Sequence, residues 1–224
     1  MDGGLSMKNK KGQMFIVLAI IVVTALILIK NGLNITQVIE NKRVLENSLE
    51  KLEFENFRGE LINAASINVN SSTNITSDLI SFIDFSKTIF SGKNEELQGL
   101  FVGSIYPNST QNTDVRINVT VYNFFDFPIQ TLNLNFSSNV LSNQTFTDIG
   151  PGKTAITNFT FNINANRNFS LHFYYVNNVE SGRTENITVL AEINRTKFIG
   201  FYDIRLKGAR LEQRDKFQQT VEVG

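Results

Sequence analysis

Cysteine and tryptophan are missing from this 224-residue chain, histidine occurs once and proline three times. Without cysteine there are no disulfides, no thiolate metal sites and no cysteine nucleophile. A single imidazole, His172, excludes a multi-histidine metal centre and leaves one candidate for imidazole catalysis. Charge is scarce at 19% of residues, and the 21 basic and 21 acidic side chains cancel. A neutral chain lacks the basic excess that nucleic-acid binders use, so no nucleic acid is expected as a partner. What is abundant is Asn (28), Ser plus Thr (34) and Phe (19). That composition describes a polar, weakly charged surface around an aromatic core. We expect neither an enzyme nor a cofactor.

The charges are unevenly placed. Residues 1–13 hold Lys8, Lys10 and Lys11 against the single acid Asp2. Residues 14–29, MFIVLAIIVVTALILI, follow, and Thr24 is the only polar side chain among the sixteen. As a helix this run covers about 24 Å, against a hydrocarbon core of about 30 Å. Gln13 and residues 31–33, or local thinning of the bilayer, supply the difference. So long an apolar run behind a lysine cluster argues against a buried core helix. A secretory signal cleaved near Val23-Thr24-Ala25 is the closer rival, but it leaves apolar residues 26–29 at the mature N-terminus. A retained transmembrane helix at 14–30 is expected, preceded by a cytoplasmic leader at 1–13. Three lysines precede it and only Lys30 follows closely, so the expected orientation puts the N-terminus in the cytoplasm and the C-terminal domain at the cell surface.

Sequons of the form Asn-X-Ser/Thr begin at Asn34, Asn70, Asn74, Asn108, Asn118, Asn135, Asn143, Asn158, Asn168, Asn186 and Asn194. Chance at this composition gives about four, and none of the eleven precedes the apolar span. They are candidate N-glycosylation sites on an external surface. The rival reading is that Asn/Thr-rich β proteins accumulate sequons by composition alone.

Residues 31–66 read as an amphipathic helical stalk. Apolar positions fall at 35, 38, 39, 45, 49 and 52, then at 54, 57, 61, 62 and 65, a second set displaced around the helix. Asn31-Gly32 reads as a C-cap or kink, and Asn34-x-x-Gln37 as a capping box that restarts the helix. The stripe packs either on the chain's own globular domain or on copies of itself. Residues 67–96 form a polar linker and a short helix over 76–90, stopped by Gly92.

From 97 to 224 the period becomes two. Val115, Ile117, Val119 and Val121 alternate with polar neighbours, as do Leu132, Leu134 and Phe136. So do Phe159, Phe161 and Ile163; Phe169, Leu171, Phe173 and Tyr175; and Ile187, Val189, Ala191 and Ile193. Strands with one buried face, separated by turns at Phe127-Pro128 and Gly150-Pro151-Gly152, argue for an antiparallel β-sandwich. The fold class is α+β. In residues 197–223 the alternation slips at Gly200, which suggests a bulge. Every sequon within or beside these strands falls on the polar face, where a glycan has room.

Little chemistry stands out. Gly152-Lys153-Thr154 lacks the phosphate-loop glycine at 147, where Thr147 stands, and is followed by a strand; it reads as a hairpin turn, and no nucleotide is expected. His172 sits on a polar strand face without a neighbouring acid or nucleophile. Asp84, Glu95, Glu96 and Asp126 are isolated carboxylates, and only the fold decides whether two of them meet as a glycosidase pair. No calcium loop or zinc motif appears, so no metal is expected. A basic C-terminal stretch from Lys197 to Lys216 reads as a solvated strand face.

Lys10-Lys11-Gly12-Gln13 directly before an apolar helix resembles the class III signal of archaeal type IV pilin-like and archaellum-like subunits. The resemblance implies processing between Gly12 and Gln13 on the cytoplasmic side, a helix held first in the bilayer and later in a filament core, and an external, often glycosylated β-rich head. The segments VTVYNFFDFPIQTLNLNFS and IGPGKTAITNFTF are similar to immunoglobulin-like domains of archaeal surface proteins. The expected function is a pilin-like filament subunit. Its partners are the lipid bilayer and, through the N-terminal helix, copies of itself or other filament subunits. Because Gln13-Met14-Phe15-Ile16-Val17 lacks the Ser and Glu of a common Q-x-S-x-E continuation, the alternative is a monomeric single-pass surface, adhesion or envelope-associated binding protein.

Overall fold

The computed structural model describes residues 6–67, 75–106, 114–138, 140–162, 168–177, 183–190, 196–208 and 211–223, with backbone alone at 6–16, 67, 168, 177, 183–190 and 223. The chain divides into two units, Met1–Leu49 and Glu50–Gly224. Helix α1 (Ser6–Ile67) begins in the first and ends in the second. In the first unit it is the whole of the described structure, and every described side chain from 17 to 45 is exposed. Asn31-Gly32 does not cap it, and Asn34 does not restart it. Thr36 Oγ1 donates to the Gly32 carbonyl at 3.0 Å within one unbroken helix. A glycine inside a helix costs only about 1 kcal/mol against alanine, less than the ladder bonds lost by stopping and renucleating.

The second unit holds the end of α1, helix α2 (Ile75–Ser91) and, among the described residues, nine strands. These are β1 (Glu96–Tyr106), β2 (Asp114–Asn123), β3 (Ile129–Ser137), β4 (Leu141–Ile149), β5 (Lys153–Asn162), β6 (Asn168–Asn177), β7 (Arg183–Leu190), β8 (Thr196–Lys207) and β9 (Glu212–Val223). A five-stranded antiparallel sheet runs β5-β2-β1-β8-β9, and a four-stranded one runs β4-β3-β6-β7. The two sheets share one core. In it Val115, Ile117, Val119 and Val121 of β2 gather with Leu132, Leu134 and Phe136 of β3 and Phe169, Leu171 and Phe173 of β6. Phe136 stacks on Phe159 of β5 at 5.0 Å, and Phe173 meets Phe201 of β8 edge-on at 4.9 Å. A second core lies between the five-stranded sheet and the helices. There Phe54, Phe57, Leu61 and Ala65 of α1, with Leu79, Ile83 and Phe90 of α2, pack on Phe101, Phe198 and Tyr202.

The expected apolar positions of β2, β3, β5 and β6 are buried wherever their side chains are described. Ile163, Ala191 and Ile193 lie outside the described residues, and Ile187 and Val189 are placed on β7 by backbone alone. Strands β1 and β4 are among those that carry no period-two signal in the sequence. β1 is buried on both faces, whereas β4 is largely exposed on both until Ile149.

Two further expectations, both in the sheets, are corrected. No bulge occurs at Gly200, which pairs with Gly103 in an unbroken register along β1 and β8. A Cβ at Gly200 would lie 2.8 Å from Tyr202 Cε2, and one at Gly103 would lie 2.6 Å from Phe101 Cζ. The paired glycines make room for the stacked rings of Phe101 and Tyr202, whose centroids are 5.1 Å apart. The alternation is lost because β8 is apolar on both sides. Nor is 150–152 a hairpin turn, because β4 before it and β5 after it belong to different sheets. Gly152, at φ +67°, donates to the Asn123 carbonyl at 2.8 Å. The buried Asn123 amide in turn donates to the Ile149 and Phe127 carbonyls at 2.7 and 3.1 Å. One asparagine thus ties together two of the connections that carry the chain between sheets, β2 to β3 and β4 to β5.

Gly200→Val is expected to lower stability by about 1–3 kcal/mol, the usual cost of overpacking a filled core. Thermal unfolding of the full chain in detergent measures it; an unchanged midpoint would contradict the ring-packing role.

Candidate functional surfaces

The exposed apolar surface of α1 is the largest feature. The segment Val17–Ser66 contains a stretch long and apolar enough to cross a membrane, with none of that stretch buried in the chain. Leu33, Ile35, Val38, Ile39, Val44, Leu45, Leu49 and Leu52 are also exposed. Phe54, Phe57, Leu61 and Ala65 are buried. The angular displacement between the two apolar sets therefore marks the point where the helix begins to pack on its own domain. The candidate processing residues Gly12 and Gln13 lie on the backbone of α1, and their side chains are outside the described set.

The described sequon side chains, Asn34, Asn118, Asn135, Asn143 and Asn158, are all exposed. Asn168 and Asn186 are placed on β6 and β7 by backbone alone, while Asn70, Asn74, Asn108 and Asn194 lie outside the described residues. The strand register brings four of them together in two pairs. Asn118 on β2 stands directly opposite Asn158 on β5, and Asn135 on β3 directly opposite Asn143 on β4. His172, half-buried, lies in register with Asn135 on one side and Asn186 on the other. Asn135, Asn143, His172 and Leu141 line a shallow depression of about 550 Å³.

The isolated carboxylates acquire partners. Tyr122 donates to Asp84, and the Gln98 amide donates to both Glu96 and Asp126. Glu95 is 9% exposed and hydrogen-bonds Glu53 of α1, with Glu50 close by. Lys93 binds Glu53 at 2.8 Å. Burial, followed by the negative charge of Glu53, raises the Glu95 carboxyl above its ordinary range, and the Lys93 charge opposes this. No group of three metal-ligating side chains converges among the described residues.

The basic C-terminal stretch is a solvated face only in part: Lys207 is exposed, Lys197 is buried, Arg205, Arg214 and Lys216 are half-buried, and Arg210 lies outside the described residues. Asp203, 1% exposed, accepts from Arg214 Nε at 2.8 Å and Nη2 at 2.6 Å, and from Tyr175 on the other sheet at 2.9 Å. Arg205 pairs with Glu212 at 3.0 Å, Lys207 with Glu96 at 3.3 Å, and Arg58 of α1 with Asp215 at 2.7 Å. These bonds join strands, sheets and helix. Sequence reasoning missed them because most of the partners are distant along the chain; a lone aspartate within an apolar run, GFYDIRL, was the available signal.

No protein-family model matches the chain, and no curated protein does. Among solved structures, it is similar to a CARDB domain from Pyrococcus furiosus determined in complex with di-metal ions, at 15% identity, covering 42% of this chain and 94% of that one with a TM-score of 0.30. It is also similar to the sporulation control protein Spo0M of Bacillus subtilis, at 9% identity over 54% of this chain and 91% of that one, with a TM-score of 0.26. A protein from Archaeoglobus fulgidus follows at 12% identity, over 54% and 92%, with a TM-score of 0.19. All three likenesses are loose.

The Glu95 carboxyl, raised on folding from the ordinary 4.5, holds its proton more tightly in the folded chain. Its stabilising contribution is complete below the ordinary value and is lost as the pH rises through the folded one. Glu95→Gln should therefore raise the unfolding midpoint at about pH 7 and leave it nearly unchanged at about pH 4. An equal shift at both would show that charge is not the cause.

Proposed function

We propose that this chain is a membrane-anchored cell-surface protein, and specifically a pilin-like filament subunit displaying a glycosylated immunoglobulin-like head. The observation that carries this reading is the change of burial along α1. From residue 17 to 52 its apolar side chains are exposed among the described residues, whereas Phe54, Phe57, Leu61 and Ala65 are buried. The first part of that surface suits lipid, and the whole of it suits neighbouring helices. Exchange of lipid for like helices exposes no apolar area to water on the way. Gly32, which meets nothing within 4 Å, leaves a bare patch on the helix where another backbone could approach closely.

The strand order supports the immunoglobulin-like reading of the head. β1, β2 and β5 share one sheet, while β4, β3, β6 and β7 form the other, in a division close to that of an immunoglobulin sandwich. The hairpin β8-β9 extends the first sheet beyond β1. The lysine cluster before the apolar helix supports a cytoplasmic N-terminus and an external head. The exposed sequon asparagines suit a glycosylated surface with few charges.

Two measurements test assembly. N-terminal sequencing of the native protein should find Gln13 first; a retained Met1 or Met7 overturns the pilin-like reading. Leu45→Glu combined with Leu49→Glu should abolish filaments seen by electron microscopy while leaving the unfolding midpoint of the head unchanged. Filaments that survive both substitutions would place the assembly surface elsewhere, and a native protein that never forms filaments would favour the monomeric surface anchor.

A further inference from the structure

The two cross-strand sequon pairs are built alike. In each, one asparagine lies on an inner strand and its partner on a sheet edge. Asn118 is on β2, between β5 and β1, and Asn158 is on the edge strand β5. Asn135 is on β3, between β4 and β6, and Asn143 is on the edge strand β4. Directly opposed residues in an antiparallel pair have Cβ atoms only about 5 Å apart. That spacing is close to the width of one sugar ring, so two glycans rising from one pair would crowd each other.

A second feature separates the members of each pair. Two residues before each edge asparagine, on the same face of its strand, stands an exposed aliphatic side chain. It is Leu141 before Asn143, 82% exposed, and Ile156 before Asn158, 68% exposed. The inner asparagines have polar residues there, Asn133 before Asn135 and Arg116 before Asn118. Among the described residues, the only large hydrophobic side chains exposed on the two sheets and their turns are Val140, Leu141, Ile156 and Tyr174. Two of those four thus sit beside the edge sequons. Leu141 also lines the depression bounded by Asn143, Asn135 and His172. An exposed leucine or isoleucine on an otherwise amide-rich strand is left to water by the rest of the chain, but the C–H face of a sugar ring would cover it.

We propose that in each pair the edge-strand asparagine, Asn143 or Asn158, carries the glycan and the inner one, Asn135 or Asn118, remains a free amide. This rests on the glycosylated-head reading above and adds to it which sites are used. A transferring enzyme must lift the sequon away from the fold to reach the amide. An edge strand is released by opening one ladder, whereas an inner strand requires two. Transfer forms a bond from the asparagine Nδ2 to C1 of a sugar held on a lipid phosphate carrier. The C1–O bond to the carrier breaks, the phosphate leaves with the electron pair, and the displaced amide proton passes to solvent. The first sugar then lies over Leu141 or Ile156 and covers the opposed amide.

The test is mass spectrometry of intact glycopeptides from the full-length protein purified from its own membrane. Occupancy at Asn143 and Asn158 is expected to exceed that at Asn135 and Asn118 by about tenfold or more, because several further hydrogen bonds must open to free the inner sites. Equal occupancy within a pair, or sugar on both members in one molecule, overturns the proposal and points to modification before folding. If all four are bare while other sequons carry sugar, the proposal fails and the glycosylated-head reading stands. If all eleven are bare, both fail.

Discussion

Nearly every residue of β1 and β8 stands between two apolar layers, because α1 and α2 cover one face of their sheet and the four-stranded sheet covers the other. A strand buried on both sides cannot alternate, so these two show apolar residues at neighbouring positions instead of a period of two. The same constraint explains the facing glycines Gly103 and Gly200, which leave space for aromatic rings where two layers meet. It also explains why Asp203 needs so many partners. A carboxylate buried in such a strand is tolerated only when its charge is matched and its oxygens are hydrogen-bonded, and Arg214 and Tyr175 provide both.

The helix obeys a related rule. Where α1 covers the sheet, its apolar residues face inward and Arg58 reaches Asp215 and the ring of Phe217. Upstream, the described apolar residues from Val17 to Leu52 are exposed, so the same helix changes from a core element to an exposed surface within one turn, between Leu52 and Phe54. Close to that transition, Glu50 and Glu53 of α1 gather around the buried Glu95 with Lys93, and burial together with the Glu53 charge raises the Glu95 carboxyl above its ordinary range.

Much of this was legible in the residues. The apolar run, the displaced second stripe and the parity of β2, β3, β5 and β6 all follow from spacing, since each of these strands has one wet face and one dry one. β1 and β4 were not legible for opposite reasons: one is dry on both faces and the other is wet on both. The 150–152 turn misled because a hairpin and a crossing between sheets use the same Gly-Pro chemistry. Asn31-Gly32 misled because one glycine inside a helix costs less than stopping the helix and nucleating it again.

By itself the sequence determined which residues are apolar, where the period changes from helical to two, and that the asparagines of the strand sequons take the polar parity. These depend only on neighbours along the chain. The tertiary structure alone decided which strands lie at edges, which sequons stand opposite each other, and which part of α1 finds cover. Those depend on pairing between residues far apart in sequence, and such pairing is set by how whole layers close on each other rather than by any local pattern.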